Sequence, residues 1–148
     1  MKISVAVPNE LEAIVPLLTA QLQEHEIYTP IGALREAVQA VLGDARHGFI
    51  LLARENNEAV GVAYAACHLS AEHGGFVGWL EELYLRPEYR GRGIGSALLD
   101  ATLARAQELN WRALELEVVV GHERAAALYL RHGFASLPRT RYTRLLRP

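Results

Sequence analysis

Residues 90–96, Arg-Gly-Arg-Gly-Ile-Gly-Ser, combine two guanidinium side chains with three glycines at alternate positions. Glycine lets backbone approach a ligand closely and adopt positive φ. An apolar helical period begins at Ile94, so the first-turn N–H groups of a helix would lie beside the loop. Those groups and the helix dipole attract an anion. The chemistry this suits is phosphate or pyrophosphate binding. Two familiar phosphate readers fit poorly. A P-loop needs Gly-Lys-Ser/Thr at its end, which is absent here. A dinucleotide fingerprint needs G-x-G-x-x-G directly after a strand. Here the spacing is G-x-G-x-G and Arg86-Pro-Glu-Tyr-Arg90 intervenes, so a dinucleotide-dependent oxidoreductase is disfavoured. Taken alone, the glycines are better explained as a turn that is glycine-rich for packing.

Three carboxylates lie near this loop in sequence: Glu81 and Glu82 upstream, and Glu117 in the following strand segment. Strand alternation is expected to send Glu81 and Glu82 to opposite faces. A carboxylate of ordinary pKa is a weak base toward an alkyl ammonium, so base catalysis would need a water relay or a raised pKa. The single cysteine, Cys67, excludes an internal disulfide and a cysteine-based zinc site, and it reads as a buried thiol. His25, His47, His68 and His73 have no ligand-like spacing, and His132 reads as a helix-end residue. No metal is expected.

The elements that must carry these residues follow from periodicity. Ile3 to Val7 predicts a strand, and Asn9 a helix cap. Leu11, Ile14, Leu18 and Leu22 predict a helix that Pro16 kinks or delays. A second helix is expected over 31–42, closed by Gly43 and Asp44. Strands are expected at 49–54 and 60–69, joined by an Asn56-Asn57 turn, and at 76–85 after Gly74-Gly75. The helix from Ile94 should end near Asn110. Ala113 to Val120 reads as a strand and Glu123 to His132 as a helix stopped by Gly133. Phe134 onward reads as extended chain turning at Pro138 and returning to Leu146. The order β-α-α-β-β-β-α-β-α-β-β is a mixed parallel and antiparallel α/β sheet with helices on both faces.

The chain has 148 residues, half of them apolar, and a formal net charge of −2. That is the size of one domain with a full core, and a single domain over 1–148 is expected. The charge argues against nucleic acid as a partner. No signal-peptide stretch or membrane-length apolar run is present, so no membrane association is expected and the location reads as cytoplasmic. The oligomeric state stays open, a homodimer included.

Two stretches carry a family resemblance. Arg90, Gly93 and Gly95, set in EELYLRPEYRGRGIGSALL, resemble the Arg/Gln-x-x-Gly-x-Gly/Ala pyrophosphate motif of the GNAT superfamily, the N-acetyltransferases that use acetyl-CoA. LEVVVGHERAAALYLRHGF resembles that family's second motif, with Leu128, Tyr129, Gly133 and Phe134 matching. The ordered series spans residues 47–146. The resemblance implies a GNAT fold with about four helices and the cofactor loop Arg90, Gly91, Arg92, Gly93, Ile94, Gly95 and Ser96. It implies that pantetheine pairs along Leu83, Tyr84 and Leu85, whose backbone N–H groups at 83 and 85 polarise the thioester. It implies Tyr129 as the acid for the departing thiolate. Glu81 matches a catalytic glutamate of the spermidine/spermine acetyltransferases, and Glu82 an acidic residue near their substrate. Glu117 matches the glutamate of the ribosomal-protein N-terminal acetyltransferases. Glu81 leads as base and Glu117 follows. His122 stands where the family often has an asparagine that contacts pantetheine.

The resemblance places the acceptor among residues 23–31, Tyr28 included, and 137–142. Glu24, Glu26, Glu81, Glu82 and Glu117 would favour a cationic amine. A polyamine, another small amine, an amino-acid derivative and a protein N-terminus stay open. The leading expectation is direct transfer of acetyl from acetyl-CoA to a primary amine in a ternary complex. A non-catalytic acyl-CoA-binding sensor on the same fold is the alternative.

Overall fold

The computed structural model describes residues 1–147, which divide into two compact units, Met1–Glu117 and the chain from Val118 onward. The first unit holds a five-stranded sheet in the order β1 (Lys2–Val5), β2 (Gly48–Glu55), β3 (Glu58–Ser70), β4 (Gly75–Leu85) and β5 (Ala113–Glu115). The first four strands pair antiparallel, and β4 pairs parallel with β5. Helices α1 (Leu11–Glu24), α2 (Ile31–Gly43) and α3 (Ile94–Glu108) complete this unit. The mixture of parallel and antiparallel pairing is the one the sequence predicts.

Alternation along the central strands sorts the core. Ile50, Leu52, Val62 and Tyr84 pack with Ile14, Val15, Leu17 and Leu18 of α1 and with Val38 and Val41 of α2. The opposite register receives α3. A Cβ on Gly61 would come within 3.0 Å of Leu98 of that helix. Asn56 and Asn57, at φ 49 and 66, supply the two left-handed residues that a type I′ hairpin needs between β2 and β3. Gly78 is dictated by packing, since a Cβ there would sit 2.3 Å from the Trp111 ring, which itself stacks on Phe49.

The entry to α1 differs from expectation. Pro8–Glu10 forms a 3-10 turn with Asn9 inside it, and Glu10 does the capping by accepting the Val7 N–H at 2.9 Å. Asn9 is therefore not a cap. Pro16 lies inside a helix assigned without interruption from Leu11 to Glu24.

The second unit contains α4 (Glu123–Arg131), followed by His132 and then Gly133 at φ 88, the left-handed residue expected to end it. The two strands expected after Phe134 are absent among the described residues. Leu137, Tyr142, Leu145 and Leu146 are all exposed, so no apolar face is buried to hold a ladder. The strand expected over 113–120 is likewise cut to Ala113–Glu115. Its Leu116–Val120 portion keeps an apolar pattern but pairs with no strand.

Candidate active site

The loop after β4 is built for an anion. Pro87–Tyr89 forms a single 3-10 turn, and Gly91 and Gly93 follow at φ 77 and 81. Gly93 is the N-cap of α3 and has no side chain to accept a bond. The first helical bond runs from the Ala97 N–H to the Gly93 carbonyl. The N–H groups of Ile94, Gly95 and Ser96 therefore have no acceptor inside the helix. A Cβ on Gly91, Gly93 or Gly95 would meet nothing within 4 Å. These glycines border open space, so packing does not explain them.

Two arginines flank the loop. The Arg90 Nε donates to the Leu85 carbonyl at 2.8 Å, and its Nη2 donates to both carboxylate oxygens of Glu24 at 2.9 and 3.0 Å. The same guanidinium lies 5.5 Å from the centre of the buried Tyr84 ring. Arg92 lies over the Tyr89 ring at 5.3 Å, with Glu55 at 3.8 Å.

Upstream, β4 has an open edge. Its pairing with β5 stops at Trp79, so Leu80–Leu85 carries no strand partner on that side. The Arg86 N–H bonds back to the Val60 carbonyl of β3. Strand alternation then turns the N–H groups of Leu83 and Leu85 toward the open edge. This edge runs directly into the glycine loop.

A bulge corrects the expected placement of the two glutamates. Glu82 stands opposite Tyr64 and Leu80 opposite Ala65, so Glu81 is the extra residue without an opposite number. The extra residue breaks the period of two, and Glu81 and Glu82 line one cavity rather than opposite faces. The cavity, ≈ 190 Å³, is walled by Leu18 and Leu22 of α1, Leu34, Val38 and Val41 of α2, and Ile50 and Tyr64 of the sheet. Thr29 enters it from the linker between α1 and α2.

Burial pushes the Glu82 carboxyl above the usual carboxylate range. The neighbouring Glu81 charge adds to that, and a hydrogen bond from Gln21 opposes it. Burial, with the Glu81 charge, also raises the Tyr64 phenol. Gln21 and Tyr64 escaped the sequence reading. Their only signals are that Gln21 adjoins Leu22 on α1 and that Tyr64 follows Val62 at strand spacing.

The remaining expected residues lie elsewhere. Tyr28 is in the α1–α2 linker, 88% exposed, next to Thr29. Glu117 is exposed, two residues beyond β5, and is not among the residues lining the cavity. In the second unit, Tyr129 is half-buried on α4 with its ring edge-on to Phe134 at 5.6 Å. His122 caps the same helix, its carbonyl accepting the Ala126 N–H. Among the described residues, no helix is long and apolar enough to cross a membrane.

Comparison with known proteins agrees with this layout. Residues 12–134 match the model of the acetyltransferase (GNAT) family. An aminoglycoside N(6′)-acetyltransferase type 1 of Stenotrophomonas maltophilia is 30% identical over 115 residues, covering 76% of this chain and 74% of that protein. An integron cassette protein from the mobile metagenome of Cole Harbour Salt Marsh superposes with a TM-score of 0.87 at 29% identity, over 99% of this chain and 91% of its own. A predicted acetyltransferase of Clostridium acetobutylicum, crystallised with acetyl-CoA, shares the fold with a TM-score of 0.82 at 21% identity, over 98% and 96% of the two chains. With the family's fold, the glycine loop and the open strand edge all in place, the chain belongs to the GNAT family of acetyltransferases.

Proposed function

We propose that the chain transfers an acetyl group from acetyl-CoA to a primary amine by direct attack within a ternary complex. The observation that carries this reading is the continuity of the open β4 edge at Leu83 and Leu85 with the glycine loop and the start of α3. One end of that track suits an extended amide-bearing arm, and the other suits a diphosphate.

The residues present fit acetyl-CoA. Gly91, Arg92, Gly93, Ile94, Gly95 and Ser96 would hold its diphosphate through backbone N–H groups, with Arg90 and Arg92 supplying charge. The backbone beside Leu83, Tyr84 and Leu85 would pair with the pantetheine amides, as an added strand does. The N–H groups of Leu83 and Leu85 are the donors we assign to the thioester carbonyl. His122 takes the place of the family's asparagine as a further donor to the arm. Acetyl-CoA supplies an acyl group on a thiolate leaving group of low basicity.

Glu81 and Glu82 divide the work at the amine. The resemblance puts Glu81 first as base, but Glu81 is the more exposed of the two, and we assign it to hold the ammonium charge. The half-buried Glu82, whose carboxyl is raised by burial, accepts the proton directly or through water. The freed nitrogen lone pair attacks the acyl carbon, the carbon–sulfur bond breaks as Tyr129 gives its phenolic proton to the sulfur, and the nitrogen's second proton passes to the tyrosine oxygen, directly or through water, which leaves a neutral amide and restores the phenol. Glu117, which is exposed, is the alternative base that the family resemblance supplies.

The test is a coupled measurement of the free thiol and the acetylated amine, with a pool of primary amines and acetyl-CoA. Wild-type chain should release both in equal amounts. Tyr129→Phe should lose turnover while acetyl-CoA still raises its thermal midpoint. A midpoint shift in the wild type with neither product would leave an acyl-CoA-binding module and overturn the enzymatic reading.

A further inference from the structure

The cavity beside Glu81 and Glu82 is chemically lopsided. Its walls on α1, α2 and β2 are Leu18, Leu22, Leu34, Val38, Val41 and Ile50, all aliphatic. Among the described residues its only formal charges are the two glutamates at the β4 end, where Tyr64 stands opposite Glu82 and Gln21 hydrogen-bonds the Glu82 carboxyl. Among the described residues no arginine or lysine lines it, and no acid lines it on the helical side. The linker that contributes Thr29 also carries Ile27 and Tyr28, and α2 opens with Ile31; the three are 52%, 88% and 56% exposed. That segment therefore presents apolar side chains beside a cavity with apolar walls.

Resting on the acetyl-transfer reading above, we propose that the acceptor is a small primary monoamine with an apolar body, an alkylamine or arylalkylamine. Its ammonium sits at Glu81 and Glu82, and its carbon body lies between α1 and α2. Size agrees, since an apolar cavity of about 150 Å³ holds one benzene ring, and this one is ≈ 190 Å³. A ring on a short tether, or an aliphatic chain of roughly six to eight carbons, fills such a volume. Charge agrees too, because there is one anionic end for one cation. A second ammonium placed along the aliphatic walls would lose its water and gain no partner, a penalty of at least about tenfold in affinity. Hydroxyl-rich amines meet the same penalty at each stripped hydroxyl.

The experiment is a homologous series. The specificity constant kcat/KM is measured by thiol release for propylamine through heptylamine, for 2-phenylethylamine, and for spermidine and kanamycin as polycations. Each added methylene should raise kcat/KM about fourfold until the cavity is full, the ratio that burial of one CH₂ supports. Heptylamine and 2-phenylethylamine should exceed both polycations by at least tenfold. Ala37 also lines the cavity from an exposed position on α2, so a larger side chain there is compatible with folding. Ala37→Phe should lower the heptylamine-to-propylamine ratio of kcat/KM at least fivefold and leave the acetyl-CoA midpoint shift intact.

A flat series in the wild type overturns the proposal, as does a preference for spermidine or kanamycin. So does a folded Ala37→Phe that keeps the wild-type heptylamine-to-propylamine ratio. If acetyl-CoA raises the midpoint but none of these amines is acetylated, the substrate class is wrong and the cofactor reading stands. If acetyl-CoA leaves the midpoint unmoved, the cofactor reading itself falls and the proposal with it.

Discussion

Glu82 stands directly across the β3–β4 ladder from Tyr64, one residue past the bulge that leaves Glu81 unpaired. The pairing seats the carboxylate at the edge of an aliphatic cavity and beside a phenol that is itself half-buried. Burial and the Glu81 charge both disfavour a second negative charge there. The same placement gives Glu82 a basicity above that of an ordinary carboxylate and gives the folded state an electrostatic penalty at neutral pH.

That penalty has a definite sign. Glu82 starts from a reference value of 4.5 and is raised in the folded chain. As pH rises through the window between those values, the unfolded chain releases its proton first. Stability contributed by this group therefore falls as pH rises through the window. Glu82→Gln should raise the thermal midpoint at pH 7, and the gain should fade toward pH 4. The same variant should lose turnover by about 10²–10⁴-fold, the range for a lost general base. Thermal scans across pH together with thiol-release rates check both halves. A midpoint lowered at pH 7 would contradict the first half.

Glu24 of α1 and Arg90 of the loop form an ion pair between exposed side chains, with Nη2 alone donating to both carboxylate oxygens, so its stabilising effect is small, about 0–1 kcal/mol. Its effect on an anion is larger, because Glu24 neutralises one of the two loop cations. Glu24→Gln should leave the midpoint within a few degrees of wild type. It should tighten acetyl-CoA by about twofold to fivefold at low salt, the advantage shrinking as ionic strength rises. Titrations at two salt concentrations decide this. A weakened affinity would mean that Glu24 positions Arg90 rather than quenching it.

Gly93 and Gly95 look alike in sequence and differ in backbone. Gly93 has φ 81, whereas Gly95 lies in the first turn of α3. Neither has a neighbour within reach of an added Cβ. Gly93→Ala should cost about 1–2 kcal/mol through backbone strain alone. Gly95→Ala should stabilise by about 0.5–1 kcal/mol through helix propensity. Denaturant midpoints of the pair give the comparison, and equal effects would refute the backbone assignment.

Much of this was legible in the residues. The hairpins were marked by Asn56-Asn57 and Gly74, and the anion loop by its glycines and the period change at Ile94. The bulge was not legible. Alternation along Trp79–Leu85 reads the same with or without an extra residue, and only the pairing with Ala65 and Tyr64 reveals it. Glu82 could not be told from Glu81 for the same reason: its burial comes from α1 and α2, distant in sequence. Leu116–Val120 shows the converse. Its side chains suit a strand, but a strand also needs a neighbour, and β4 offers β5 one only as far as Trp79.

The central claim is that backbone at the start of α3 grips coenzyme A, and Gly95→Val tests it most directly. Gly95 has no φ that valine would strain, and an added Cβ there projects into open space. The variant should fold with an unchanged or slightly higher midpoint while placing a branched side chain over the exposed N–H groups. Calorimetric titration with acetyl-CoA should then show one site per chain in the wild type and at least a tenfold loss of affinity in the variant. A folded Gly95→Val that binds acetyl-CoA as tightly as the wild type, or a wild type that does not bind it at millimolar concentration, would contradict the account.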